Sequence, residues 1–262
     1  MMIIMQTRKF ISFEQSPSWF RCDISIHYCH FSAEDYKDQL FAYHQIPFPS
    51  TLEKAVIKRR AEFLAGRYCA HKSLLSFEHT NINIDADNHG CPLWPSKITG
   101  SISHSNTRAV AATSLKSNYR GIGIDIENII DHSVYKEIKE QILFDKEHQI
   151  IKQAQGELSA SLLFTIIFSV KESFFKAAYP EVKRYFDFSS VSILRIDQKN
   201  KTILIQVNKT LSENLAFGKE ILAEYRILPD ENVVTIVTLK SIPPCRGGLN
   251  TENKGCDGKQ LT

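Results

Sequence analysis

The sequence predicts an α+β protein made of two similar halves, each a long helix packed on a mostly antiparallel sheet. Three observations carry this. Thr51–Phe77 and Ser159–Tyr179 place apolar residues at helical spacing. Short runs of alternating apolar and polar residues flank both stretches. The order of helix and strands recurs, around 51–114 and again around 159–239. Residues 1–119 are therefore assigned to an N-terminal half and 120–242 to a C-terminal half. Residues 243–262, rich in Gly, Asn and Lys, are expected to be a disordered tail.

A chain of 262 residues can bury a substantial core in one large domain or two small ones. With 43% apolar and 23% charged residues the balance is that of a globular protein. A net charge of +3 is too small to imply nucleic acid, and no nucleic-acid partner is expected. Cys22, Cys29, Cys69, Cys91, Cys245 and Cys256 are scattered with no C-x-x-C pair, which reads as free thiols in a reducing compartment. The apolar Met1–Met5 is broken by Arg8 and Lys9, so no signal peptide is expected. The apolar run Leu162–Val170 is far short of the ~20 residues of a membrane span. The expectation is a soluble cytoplasmic protein, a reading that leaves room for peripheral membrane association.

In chain order, Asp23–Phe31 alternates and reads as a strand. Its Cys22, His27, Cys29 and His30 fit no zinc spacing, and alternation puts His30 on the face opposite His27 and Cys29. Ordinary packing is the expectation. Pro49 and Ser50-Thr51 then open the first long helix. Leu52, Val56, Phe63, Ala70 and Leu74 form its core stripe, widened by Ile57, Leu64 and Leu75. Arg60, Arg67 and His71 fall inside this apolar arc. Cations so placed need a buried carboxylate, Glu62 or another, or an anionic ligand. Gly90–Pro95 reads as a turn-rich connector. Gly100–Ser105 and Ala109–Ser114 read as two strands with a loop at Asn106. Ser103 lacks the G-x-S-x-G elbow of a hydrolase, because position 105 is Ser. His104 is open between core, ligand contact and base.

Gly121-Ile122-Gly123-Ile124-Asp125-Ile126-Glu127 has the period-2 pattern of a strand with one buried face. Asp125 and Glu127 share the other face, with Cα atoms roughly 7 Å apart. Two such carboxylates repel and need a cation, and the glycines leave room on that face for something bulky. A helical stretch at about Asp145–Gln155 follows, and then the second long helix, ended by Pro180. Its core stripe is Leu163, Ile167, Val170, Phe174 and Ala177, with Phe164, Phe168 and Phe175 on the flank. One polar window remains: Thr165, Ser169, Glu172 and Lys176, with Lys171 the one charge outside it. Glu172 and Lys176 are either a simple i,i+4 pair or a third carboxylate and a cation for the site begun by Asp125 and Glu127. Three carboxylates with no His or Cys describe an oxygen-ligand Mg²⁺ site, and the expected substrate carries a diphosphate. Ser190–Ile196, Thr202–Val207, Ile221–Ile227 and Val233–Leu239 then read as an antiparallel meander.

On the segments KRRAEFLAGR (58–67), PLWP (92–95), GSISHS (100–105), GIGIDIE (121–127) and FSVKESFFKA (168–177), the chain resembles the large, pseudo-dimeric 4′-phosphopantetheinyl transferases, their enterobactin branch in particular. The resemblance implies transfer of phosphopantetheine from coenzyme A to a serine of an apo acyl, aryl or peptidyl carrier domain of a nonribosomal peptide synthetase. The second product is adenosine 3′,5′-bisphosphate, and the setting is siderophore biosynthesis. It implies Mg²⁺ on Asp125, Glu127 and Glu172, with Glu172 also the base. Lys171 and Lys176 would neutralise the diphosphate, while Arg59 or Arg60, Arg67, Ser103 and His104 would contact coenzyme A phosphates. A monomer able to join a synthase complex is implied. Two departures stand out: Gly90-Cys91-Pro92 where relatives read Gly-Lys-Pro, and Phe168 where a Trp often precedes K-E-S. Two other readings use the same carboxylates. One is a non-catalytic module that binds coenzyme A or a carrier. The other is a metal-dependent diphosphate hydrolase, which leaves KRRAEFLAGR and SISHS unexplained.

Overall fold

The computed structural model describes residues 9–78, 83–154 and 158–242. The expected tail at 243–262, with Cys245 and Cys256, lies outside the described residues. The first sheet is built from β1 (Ile11–Gln15), β2 (Ser25–Phe31), β3 (Ile98–His104) and β4 (Arg108–Leu115) in the order β1-β2-β4-β3. Between β2 and β3 come a short helix α1 (Gln39–Tyr43) and the long helix α2 (Ile57–Leu74). The second sheet holds β5 (Tyr119–Asn128), β6 (Val191–Asp197), β7 (Thr202–Val207), β8 (Glu220–Ile227) and β9 (Asn232–Lys240) in the order β5-β9-β8-β7-β6. Helices α3 (His132–Ile142), α4 (Asp145–Ala154) and α5 (Ala160–Val182) lie between β5 and β6. All strand pairs are antiparallel, and β6 to β9 form the expected meander. The α+β class and the repeated helix-on-sheet plan hold.

Alternation explains the layers. One face of the first sheet packs on α2 through Cys29, Phe31, Leu64, Ala65, Ala109 and Ala111. One face of the second packs on α5 through Leu163, Ile167, Val170, Phe174, Val237 and Tyr225. The opposite faces meet each other: Ile26, Tyr28, Val110 and Ala112 pack on Ile122, Ile124, Ile126 and Ile236. The isoleucines of β5 thus form the seam between the sheets, and Gly121, Gly123, Asp125 and Glu127 face α5 and the rim. What fills the space over the glycines is the helix itself. A Cβ on Gly121 would overlap the carbonyl oxygen of Ala177, and one on Gly123 that of Ser173. The expected ligand approach over the glycines is thereby corrected to a helix approach.

Some elements differ from the sequence reading. The first long helix starts only at Ile57, because Ser50–Leu52 is a separate 3₁₀ turn and Val56 is extended at the helix entrance. Val56, Ile57 and Leu75 are consequently exposed rather than part of the core stripe. Helix α3 was not anticipated, although Val134, Ile138 and Ile142 recur at helical spacing. Pro180 sits inside the last turn of α5 instead of ending it. In a final turn only one helical hydrogen bond is forfeited, and the turn closes at Lys183, which adopts φ 54° and donates its N–H to the Tyr179 carbonyl. No described helix is long and apolar enough to cross a membrane.

Candidate active site

Asp125 lies at the junction of the halves, only 2% exposed. Its Oδ1 accepts from Lys176 Nζ at 2.6 Å and from Ser103 Oγ at 2.8 Å, while Oδ2 accepts from Ser169 Oγ at 2.7 Å. Lys176 also donates to Ser103 Oγ at 2.9 Å, and the Ile126 N–H approaches the same oxygen at 3.3 Å. The alternation of β3 aims Ser101 and Ser103 at β5, and the helical period of α5 puts Ser169, Glu172 and Lys176 on the face toward β5.

Glu127 and Glu172 complete the acidic group. Burial first, and then the charges of Asp125 and Glu172, push the Glu127 carboxyl up to about 8, against the pull of Lys176. Glu172 is raised by burial and by Asp125, with Lys176 opposing. One lysine cannot neutralise all three carboxylates once they ionise, and their mutual repulsion is what a further cation would relieve. Among the described residues no three His, Cys, Asp or Glu side chains converge as placed on one ligand point, Lys176 being seated on Asp125. The donor set itself is all oxygen and strongly anionic, which fits a hard divalent cation such as Mg²⁺.

Three depressions meet here. A cleft of about 970 Å³ is lined by Arg59, Glu62, Phe63, Arg67, Gly90 and His104, among others. A second, of about 430 Å³, shares Glu62 and His104 and reaches Glu127 and Val134. A third, of about 420 Å³, runs from Gly90, Cys91 and Ser101 to Phe175, Lys176 and Tyr179. In the large cleft Arg67 is 6% exposed, stacks on the Phe63 ring at 4.7 Å, and its Nε has no hydrogen-bond partner among the described residues. Burial lowers its pKa to about 10, with Asp85 pulling the other way. A buried guanidinium with an unmet donor is an anion site in waiting. His104 Nε2 accepts from Arg59 at 3.1 Å, and its Nδ1 lies 3.8 Å from Glu62. Burial, then Arg59 and Lys176, push it down to about 4, so its ring is neutral and Nε2 is the acceptor for Arg59.

Two expected contacts are not brought to the site. Arg60 donates to Asp38 Oδ2 at 2.9 Å, to the Ala55 carbonyl at 3.0 Å and to the Glu53 carbonyl at 2.6 Å. All three of its nitrogens are spent tying the loop before α2 to the start of α1, and Asp38 rather than Glu62 is its acid. Lys171 is the clearer correction. It is fully buried, with Nζ donating to the Ile142 carbonyl at 2.7 Å and Glu147 Oε2 at 2.8 Å, 4.9 Å from the Phe144 ring. Burial lowers its pKa and Glu147 opposes the shift. Glu147 also accepts from the N–H groups of Phe144 and Ile193, so the pair pins α4 to α5 and β6. Lys171 lines none of the three depressions. Ser103 is in the site, but its hydroxyl serves Asp125 and Lys176. Ser169 stood in the polar window without a role, and its partner Thr235 carried no local signal.

Comparison with known proteins follows the same division of the chain. Residues 48–114 match the 4′-phosphopantetheinyl transferase N-terminal domain, and residues 121–236 match the 4′-phosphopantetheinyl transferase superfamily. Enterobactin synthase component D of Escherichia coli (strain K12) is 33% identical over 154 residues, covering 59% of this chain and 70% of that protein. The 4′-phosphopantetheinyl transferase Npt of Nocardia iowensis is 29% identical over 143 residues, 54% of this chain and 62% of the relative. PptT of Mycobacterium tuberculosis is 28% identical over 144 residues, 54% and 61% respectively.

Proposed function

The chain belongs to the 4′-phosphopantetheinyl transferase superfamily, and from that premise we propose that it modifies the serine of carrier domains in siderophore assembly, with Asp125, Glu127, Glu172 and Lys176 as its reacting centre. The activity of the family is transfer of 4′-phosphopantetheine from coenzyme A to an apo carrier protein. The observation that carries the site assignment is the carboxylate group of buried Asp125 and half-buried Glu127 and Glu172 with Lys176 at its edge, Glu127 and Lys176 lining two depressions that adjoin the large cleft of Arg67.

In this reading the carrier serine Oγ attacks the β-phosphorus of coenzyme A. The new O–P bond forms as the bond to the bridging oxygen breaks, and adenosine 3′,5′-bisphosphate leaves. Phosphoryl transfer of this kind asks mainly for positioning and charge neutralisation. Glu172 accepts the serine proton, directly or through a water; its raised pKa brings it toward the working pH of a base. Lys176 meets the charge that grows on the leaving phosphate. Arg59, Arg67 and neutral His104 line the large cleft and bind the nucleotide phosphates, Arg67 through its unmet Nε donor. A Mg²⁺ ion held by Asp125, Glu127 and Glu172 would supply charge neutralisation on the diphosphate.

The carrier class is supported by the likeness to enterobactin synthase component D, which spans both halves of the chain. The test is incubation with coenzyme A, Mg²⁺ and an apo carrier domain, read by intact mass. A gain of one phosphopantetheine on the carrier supports transfer. Coenzyme A hydrolysis without a carrier would support a diphosphate hydrolase, and binding without turnover a non-catalytic module. For the pathway, kcat/KM on aryl or peptidyl carriers should exceed that on a fatty-acid carrier by about tenfold or more. Equal values would remove the siderophore assignment.

A further inference from the structure

Asp125 and Thr235 are cross-strand partners in the β5–β9 ladder, so their side chains stand side by side toward α5. Ser169, one helical turn before Ser173, bridges them. Its Oγ lies 2.7 Å from Asp125 Oδ2 and 2.9 Å from Thr235 Oγ1, and Thr235 Oγ1 lies 2.7 Å from Ser173 Oγ. Ser169, Ser173 and Thr235 are all 0% exposed.

The direction of these bonds is forced. An ionised Asp125 only accepts, so Ser169 spends its single proton on Oδ2. Thr235 must then donate to Ser169, and Ser173 in turn donates to Thr235, whose carbonyl oxygen is also 3.1 Å away. The hydroxyls form one polarised chain ending on one carboxylate oxygen. Lys176 and Ser103 share the other oxygen, and among the described residues Ser169 alone holds Oδ2. Three hydroxyls in a dry helix–sheet interface are costly unless each is satisfied, and apolar side chains of similar size would pack there without that demand.

We propose that Ser169 and Thr235 are positioning residues for the divalent-cation site, fixing the rotation of the Asp125 carboxylate through its Oδ2. This rests on the reading of Asp125 as a metal ligand. Carboxylate ligands are oriented by outer hydrogen bonds, whose loss typically costs 10–100-fold in metal affinity or activity.

The test pairs a binding readout with kinetics in Ser169→Ala, Thr235→Val and Thr235→Ser. Mn²⁺ binding to the protein with coenzyme A is followed by electron paramagnetic resonance, and transfer is measured against Mg²⁺ concentration. Ser169→Ala and Thr235→Val should each raise the Mn²⁺ Kd and the Mg²⁺ half-saturation about tenfold or more. The rate at saturating Mg²⁺ and the KM for coenzyme A should stay within about twofold. Thr235→Ser, which keeps the hydroxyl, should restore metal affinity. If Thr235→Val does not fold, Ser169→Ala and Thr235→Ser carry the test. Unchanged Mn²⁺ affinity in Ser169→Ala, or a Thr235→Ser protein as impaired as Thr235→Val, would overturn the proposal. Asp125→Ala separates the two levels. If it keeps Mn²⁺ affinity and turnover, the metal-ligand reading fails. If it loses both while Ser169→Ala loses neither, only the positioning inference fails.

Discussion

Replacing Arg67 by Met should make the ligand-free protein more stable and coenzyme A binding weaker. The two effects have one origin. Arg67 is 6% exposed, and burial takes its pKa from 12.5 to about 10. At about 1.4 kcal/mol per pH unit, holding that charge in place costs on the order of 3 kcal/mol. Methionine has a similar length, fills the space beside Phe63, and brings no charge. It forfeits the stacking of the guanidinium on Phe63 at 4.7 Å, about 1–2 kcal/mol in a desolvated setting. The net gain expected in the free protein is about 1–2 kcal/mol, or a rise in Tm of roughly 3–6 °C for a chain of this size. The loss on the ligand side is a charge-assisted hydrogen bond to phosphate, about 2–3 kcal/mol, which is roughly 30- to 150-fold in Kd. Differential scanning fluorimetry with and without coenzyme A reads both, because the ligand-induced shift shrinks as Kd rises. A variant less stable than the parent with an unchanged KM for coenzyme A would refute the reasoning and return Arg67 to a structural role.

Lys171→Ala should leave Glu147 buried without its cation and cost about 3–5 kcal/mol in urea unfolding, with the KM for coenzyme A unchanged; a raised KM with unchanged stability would put Lys171 back at the diphosphate. Gly123→Ala should destabilise by about 3 kcal/mol or more, because the new Cβ meets the rigid Ser173 carbonyl; a stable variant would show that α5 can retreat from β5. Divalent-ion affinity should rise with pH. Glu127, with its carboxyl at about 8, carries a proton at neutral pH that must leave before it can bind a metal. The apparent Mn²⁺ affinity should gain roughly tenfold per unit below pH 8 and level off above it; a flat profile from pH 6 to 8 would remove Glu127 from the ligand set.

Most of the site was legible in the sequence because its periodicities are local. The alternation of β5 and the polar window of α5 each placed acids on the correct face, and the two elements then met as two long apolar neighbours must. What was not legible depended on partners far along the chain. The space over Gly121 and Gly123 was visible, but nothing in a strand says whether a ligand or a helix fills it. Lys171 stood outside the polar window, a sign that it faces elsewhere. Its partner Glu147 lies on α4, 24 residues earlier, with no spacing rule to connect them. Arg60 and Arg67 both lay in the apolar arc of α2. Which of them keeps a carboxylate was decided by Asp38, at the start of α1. Thr235 became part of the site only through the β5–β9 register.

The central claim is that Asp125 and Glu172, brought together from β5 and α5, form the reacting centre of phosphopantetheine transfer. Its most direct measurement is the rate of carrier mass gain with Asp125→Ala and Glu172→Ala proteins of verified fold and saturating coenzyme A. Each is predicted to lose roughly a thousandfold or more in rate while still binding coenzyme A through the Arg67 cleft. Near wild-type rates in either folded variant would contradict it.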